Sequence, residues 1–541
     1  MSVQPDPAHS SSGQHVGPAD PEHDPTASYA LDPAYVRSLT GRVVSTTGEA
    51  VPTYTPITGQ PLAMIPQSSE GDVKEAFARA RRAQQAWAQT SLDQRAQVLL
   101  RLHDLVLDRQ DEIIDLICWE SGKARKHAFD EPMHIALTAR YYARTAHDHL
   151  DTERRLGAVP GLTRVEVNHV PKGVVGIISP WNYPFTMALC DGLPALLAGN
   201  AVVTKPDAQT MLSALLGAQL LEEAGFPEGL WNVVAGPGRD LGGPMIQRAD
   251  YICFTGSTAT GRLIAQQCAD RLIGCSLELG GKNPILVLRD ADLDRAAEGA
   301  IRASFSNAGQ LCVSMERMFV ADQVYDRFRD KFVERTKAMA LRPGIEWGAD
   351  MGSLISQDQL DTVVAHVEDA VAKGAKVLTG GKARPDLGPY FYEPTILEGV
   401  TPDMTCFGNE TFGPVISLYR FHDEADAVSR ANAGEYGLNG SIYSKDTKRA
   451  RAIARHIKCG TVNINEAFGA TFASIDTPMG GMRESGMGRR QGSEGVRRYT
   501  ESQTVGVQKL IRFAPMLGMK DETYAKLMTA NLRLLKKLGR A

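Results

Sequence analysis

Cys312 closes the octapeptide Phe305-Ser306-Asn307-Ala308-Gly309-Gln310-Leu311-Cys312. A cysteine taken alone is most often a small core hydrophobe. This one ends a run of small and polar residues that packs poorly and turns readily. The thiol is therefore expected within reach of solvent and ligand, where a thiolate attacks an electrophilic carbon. A second unusual stretch, Leu277-Glu278-Leu279-Gly280-Gly281-Lys282-Asn283-Pro284, lies upstream, with Glu278 34 residues before the thiol (312 − 278).

The elements that would position these residues can be read from periodicity. Val73, Ala76, Phe77, Ala80 and Ala83, then Val98, Leu99, Leu102, Leu105 and Val106, recur at helical spacing, so residues 71–150 are expected to be amphipathic helices. Short apolar runs bounded by glycine and proline follow at 174–179, 201–205, 231–234 and 251–254, and these predict buried strands. A helical stretch at 211–224 separates two of them. Such alternation implies a doubly wound parallel sheet, whose ligands gather at the carboxyl ends of the strands. Pro180-Trp181-Asn182, Lys205-Pro206-Asp207, Gly236-Pro237-Gly238 and Thr255-Gly256-Ser257 stand at those ends, which favours a nucleotide site. A second alternating region begins near residue 292.

The octapeptide resembles the nucleophile signature of the NAD(P)-dependent aldehyde dehydrogenases, and Leu277-Glu278-Leu279-Gly280-Gly281-Lys282 is similar to their glutamate signature at the family's own interval. The resemblance spans roughly residues 40–510. It implies an α/β fold of the aldehyde dehydrogenase type. Residues 31–149 and 172–279 would form a doubly wound parallel-sheet cofactor domain, 280–494 an α/β catalytic domain, and 150–171 with 495–510 a small oligomerisation arm. Residues 1–30 are expected to be a disordered tail, being poor in large apolar residues, and 511–541 an amphipathic extension.

The resemblance also implies roles. Cys312 would be the nucleophile, passing through a thiohemiacetal and a thioester, with its pKa lowered by a helix end or by the cofactor's positive ring. Asn182 and the Cys312 backbone N–H would form the oxyanion hole. Glu278 would be the general base, its pKa raised by a partly apolar setting. Glu410 and Phe412, in a Glu-x-Phe-Gly-Pro motif, would bind the nicotinamide ribose and pack on the nicotinamide. Ser179, Pro180, Trp181, Lys205, Phe254, Gly256 and Leu279 would line the cofactor site. Gly238 and Gly242 would shape a turn beside it, and Ser257 would cap a helix near the pyrophosphate. Where the family pattern Lys-Pro-x-Glu places a glutamate on the adenosine ribose, this chain has Ala208. Losing that carboxylate predicts NADP in preference to NAD.

For the substrate, motifs at 351–356, 380–384 and 479–482 are similar to those of succinate-semialdehyde dehydrogenases. Members of that group hold the substrate carboxylate with two arginines. Ser306 and Cys190 occupy those positions here, Asp191 follows, and only Ser485 remains of that site. A neutral or acidic pocket is therefore expected, which keeps apolar or aromatic aldehydes open as the alternative. Residue 314 is serine, so no Cys-x-Cys redox pair is expected. A non-catalytic protein of the same fold is disfavoured by the complete catalytic set.

Composition excludes other classes. The net charge of −4 gives no nucleic-acid footprint. The eight cysteines form neither a metal-ligand spacing nor a disulfide framework. No resident metal is expected, nor a signal peptide, and a reducing cytoplasm fits best. Tyr524, Leu527, Met528, Leu534, Leu535 and Leu538 make an apolar stripe flanked by lysine and arginine. The stripe predicts packing on a neighbouring subunit, with membrane contact through residues 521–541 as the alternative, and the resemblance implies a homodimer or homotetramer.

Overall fold

The computed structural model describes residues 30–158, 163–509, 513–516 and 518–539. The expected tail, Ala30 apart, lies outside the described residues. Two compact units are present, one built from residues up to His149 together with Pro171–Tyr499, the other from Leu150–Val170 and Thr500 onward.

The first unit holds two large sheets. All four apolar runs read as strands are strands: Val174–Ile178, Ala201–Lys205, Trp231–Val233 and Tyr251–Thr255. With Gly274–Glu278 they form a parallel sheet, closed at one edge by the antiparallel Gly486–Met487. Val174–Ile178 sits in the middle. The chain leaves it through 201–205 and 231–233 on one side, then returns to place 251–255 and 274–278 on the other. The strand order thus reverses between 174–178 and 251–255, and the crevice at such a switch point is where doubly wound sheets bind ligands. Both faces carry helices, which is why the strands read as unbroken apolar runs rather than alternating ones.

The second sheet has seven strands, in the order 376–379, 395–398, 415–421, 315–321, 283–287, 439–443 and 461–464, parallel except for the first pair. Its buried faces lie within a core that includes Phe305, Phe328, Phe332, Met315 and Ile416. The two sheets are linked directly through Glu278–Asn283, so the glutamate signature spans the end of one sheet and the start of the next.

The helical N-terminal region is six helices from Glu70–Trp87 to Ala146–Leu150. The first two are capped by reciprocal boxes, Ser69 with Asp72 and Ser91 with Gln94, which satisfy otherwise orphaned amide donors. The predicted apolar faces are buried, except that Ala83 and Leu105 are only half-buried.

The second unit contains a three-stranded sheet of Glu153–Arg155, Thr163–Pro171 and Thr500–Gln508, and the helix Asp521–Lys537. Thr500–Gln508 is an edge strand whose Val505 and Val507 are exposed. No helix among the described residues is long and apolar enough to cross a membrane.

Candidate active site

Helix Leu293–Phe305, capped by the Asp292 carboxylate, carries the chain to the predicted turn. At Ser306–Gly309 the backbone tightens, with positive φ at Asn307 (51°), Ala308 (53°) and Gly309 (73°). Left-handed backbone at residues with a Cβ is costly and persists only where neighbours over-determine it. A Cβ at residue 309 would lie 2.0 Å from the Gly413 carbonyl oxygen, so only glycine fits. The Asn307 N–H donates to Nδ1 of buried His127 at 3.2 Å, and its side-chain amide donates to the carbonyls of Asn182 and Gln310, both at 3.1 Å. Burial and nearby cations push His127 down to about 3, which keeps the imidazole neutral and Nδ1 an acceptor. Asn283 then fixes the end of the turn, its amide donating to the carbonyls of Cys312 and Ser314, both at 2.7 Å.

Asn182 is buried beside this turn. Its Nδ2 donates to the Gln310 carbonyl at 3.1 Å, which leaves its second N–H for another acceptor. Its backbone carbonyl accepts from Lys123 Nζ at 2.6 Å, and Lys123 is paired with Glu131 at 2.7 Å with both side chains fully buried. The Lys123 ammonium also lies 3.8 Å above the Tyr183 ring. Nothing in the local sequence marked Lys123, His127 or Glu131.

Glu278 ends its strand with a buried carboxyl whose Oε1 has no hydrogen-bond partner. Burial pushes it up to about 7, against the opposing pull of Arg490. A Cβ on Gly480 would come within 3.1 Å of that oxygen, so the absent side chain leaves it room. The protein by itself does not depress the Cys312 thiol. Burial, then Glu278 and Glu410, push it up to about 12, so the protein alone holds a thiol rather than a thiolate.

Glu410 and Phe412 are set by another buried pair. Glu316, paired with Lys282, accepts the Thr411 N–H at 2.9 Å and the Phe412 N–H at 3.0 Å, and holds Phe412 at φ 51°. Glu410 Oε1 accepts the Gly281 N–H at 2.8 Å, and burial pushes this carboxyl up to about 8. The Phe412 ring meets the edge of Trp181 at 5.5 Å, which joins the 410–412 loop to the end of strand 174–178.

The other strand-end residues gather around the switch point. Ser179 Oγ is buried without a partner, and Pro180 and Trp181 are half-buried. Lys205 Nζ donates to the Pro206 carbonyl at 2.8 Å, and Ala208 is half-buried three residues on. Ser257 caps helix Thr258–Asp270, and a Cβ on Gly256 would strike the Phe254 ring. Leu279 is buried, close to Gly261 of that helix. Gly238 and Gly242 depart from expectation. They lie within helix Gly238–Ile246, not in a turn, and a Cβ on either would meet nothing within 4 Å.

Two substrate-site expectations are also corrected. Ser485 is fully buried and its Oγ accepts the Gly437 N–H at 2.9 Å, so it braces backbone instead of facing a ligand. Asp191 does not make the pocket acidic. Its carboxylate is gripped by Arg490 through bonds of 2.9 and 2.7 Å and by Arg498 at 2.6 Å, all three side chains being buried. Burial pushes Asp191 up, and the two guanidiniums more than reverse this, to about 2. Two cations against one anion leave a net positive cluster. Arg490 acts on both Glu278 and Cys312 from there, and its Nη1 meets the Met187 sulfur at 3.5 Å. The tandem Arg489-Arg490 was the available sequence signal. A cavity of about 780 Å³ is lined by Lys126, Asp130, Arg302 and Ser306, and neither Cys312 nor Glu278 borders it.

A partly exposed cysteine and a buried glutamate at the meeting of a doubly wound sheet and a second α/β sheet define an aldehyde-oxidising site. The chain belongs to the aldehyde dehydrogenase family, whose model matches residues 43–505. Over 509 residues it is 49% identical to a Mycolicibacterium smegmatis protein named a putative succinate-semialdehyde dehydrogenase (NADP+), covering 94% of this chain and 98% of that one. It is 37% identical over 465 residues to a Pseudomonas putida 3-sulfolactaldehyde dehydrogenase, covering 85% of this chain and 94% of that one. Among solved structures, an E. coli NADP-dependent enzyme superposes with a TM-score of 0.83 at 35% identity, covering 86% of this chain and 96% of that one.

Proposed function

We propose that this enzyme oxidises an aldehyde bearing a distal carboxylate, succinate semialdehyde being the fitting case, with NADP as the oxidant. The observation that carries this reading is the buried, net positive Asp191–Arg490–Arg498 cluster beside Cys312 and Glu278. Arg490 is the cation that the sequence reading lacked, and its Nη1 has no carboxylate partner. The two curated relatives described above are both named for anionic aldehydes, which points the same way.

The residues present suit a nicotinamide dinucleotide. A buried Ser179 hydroxyl without a partner, open space over Gly238 and Gly242, and the Ser257-capped helix N-terminus offer donors and room at the switch point. Glu410 would hold the nicotinamide ribose and Phe412 the ring. Bound there, the cofactor accepts a hydride. Lys205 bonds the Pro206 and Gly236 carbonyls, and Ala208 supplies no carboxylate, so the glutamate that would repel a 2′-phosphate is missing.

Cys312 must lose its proton to solvent before it attacks, because the thiolate is the nucleophile. Sγ then adds to the aldehyde carbon, and the developing alkoxide is met by the free N–H of Asn182 and by the Cys312 backbone N–H. After hydride leaves the thiohemiacetal, Glu278 draws a proton from water, and the hydroxide so formed displaces Sγ from the thioester. Lys123 and Glu131 hold Asn182 in place through its carbonyl.

The test is NADPH formation with succinate semialdehyde against hexanal and benzaldehyde. A clear advantage for succinate semialdehyde is expected, and preference for the apolar aldehydes overturns the substrate assignment. In Arg490→Met, KM for succinate semialdehyde should rise by about tenfold or more, ~1.4 kcal/mol, with little change for butanal. Equal losses on both substrates would remove Arg490 from the carboxylate site. In Ala208→Glu, the ratio of kcat/KM for NADP over NAD should fall by about tenfold, and an unchanged ratio refutes the role given to residue 208.

A further inference from the structure

None of the residues of helix Asp521–Lys537 is buried. Leu527 is 59% exposed, Leu534 54% and Leu538 62%. Tyr524, Leu527, Asn531, Leu534 and Leu538 succeed one another at steps of three, four, three and four residues. That is the a/d repeat of a coiled-coil seam, with tyrosine, asparagine and leucine at a, and leucine at both d positions.

We infer that this helix pairs in parallel and in register with the same helix of a second copy of the chain, through the Tyr524–Leu538 seam. Three features select this occupant. Asn531 sits at the middle of an otherwise apolar seam, where an amide facing a lipid or a foreign apolar groove would lose its hydrogen bonds. In register it meets its own counterpart, and each amide can donate to the other. An antiparallel pairing would set Asn531 against Leu534 and leave the amide without a partner.

The charges agree. Lys526, Arg533 and Lys536 fall on the outer face, where Lys526 already pairs with Glu522 at 2.6 Å. The positions that flank the inner part of the seam are Thr523, Met528, Ala530 and Leu535, so two copies bring no like charges together there. Leucine at d is also the choice that favours parallel two-stranded pairing. At 17 residues the helix is too short to hold two copies alone, so the seam adds to other contacts between them. The exposed edge strand Thr500–Gln508 of the same unit offers such a surface.

The experiment uses full-length enzyme with Asn531→Cys, and with Thr529→Cys as an outer-face control, each oxidised by copper phenanthroline beside the unaltered chain. Asn531→Cys should run mostly as a disulfide-linked dimer on a non-reducing denaturing gel, with Thr529→Cys and the unaltered chain remaining monomeric. No link at 531, or equal linking at 529, overturns the pairing. Leu527→Glu/Leu534→Glu should raise the concentration at which the assembly dissociates several-fold with kcat unchanged. If it instead abolishes sedimentation with phosphatidylserine vesicles and leaves dissociation unaltered, the seam belongs to a membrane and the inference fails.

Discussion

Glu278→Gln should complete one oxidation and then stall. Because the glutamine cannot take a proton from water, the thioester on Cys312 accumulates, and turnover falls by about 10²–10⁴-fold. A burst of NADPH no larger than the enzyme present, with an acyl adduct on Cys312 by mass spectrometry, is the expected reading. The same substitution should stabilise the fold. The folded carboxyl titrates at about 7 against an ordinary value of 4.5. The native state therefore keeps a proton that the unfolded chain releases, and stability drops as pH rises through that window. Above it the wild type bears a cost of roughly 3 kcal/mol that glutamine removes. Urea midpoints of variant and wild type should agree near pH 4 and separate at pH 8, with the variant higher. A variant no more stable at pH 8 would show that the carboxyl is not strained by burial.

Asp191→Asn should have the opposite effect on stability. It leaves Arg490 and Arg498 buried side by side with no counter-charge, and breaking a buried pair from one side typically costs about 3–5 kcal/mol. The wild-type carboxylate contributes its stabilisation above the ordinary Asp range, and that contribution disappears as pH falls toward about 2. At neutral pH the variant therefore suffers the whole loss. A second readout separates this from mere misfolding. Asp191 holds the Glu278 pKa up, so its removal should move the ascending limb of the pH–kcat profile to lower pH in whatever enzyme remains folded. An unchanged limb would detach the cluster from the base, and an unchanged urea midpoint would refute the buried pair.

Much of the candidate site was legible in the chain because the residues proposed to touch reactants lie in short contiguous runs. The turn before Cys312 could be read from Ser-Asn-Ala-Gly-Gln, since such residues select turn backbone locally. Four of the six strands of the first sheet were equally readable, because burial on both faces leaves an unbroken apolar run. The helix at Gly238–Ile246 was not, since three glycines and a proline within nine residues speak for a turn, yet the sheet imposes a helix there.

What the sequence by itself determined is thus the identity and order of the reacting groups and the elements that carry them. Tertiary structure decided their charge states. Asp191 meets Arg490 at a sequence separation of 299, and Asn182 meets Lys123 at 59. Cys312 is held as a thiol by burial and by carboxylates from two other segments. Backbone conformation is chosen largely by neighbours in sequence, whereas desolvation and Coulomb energy depend on whatever the fold brings within a few ångströms.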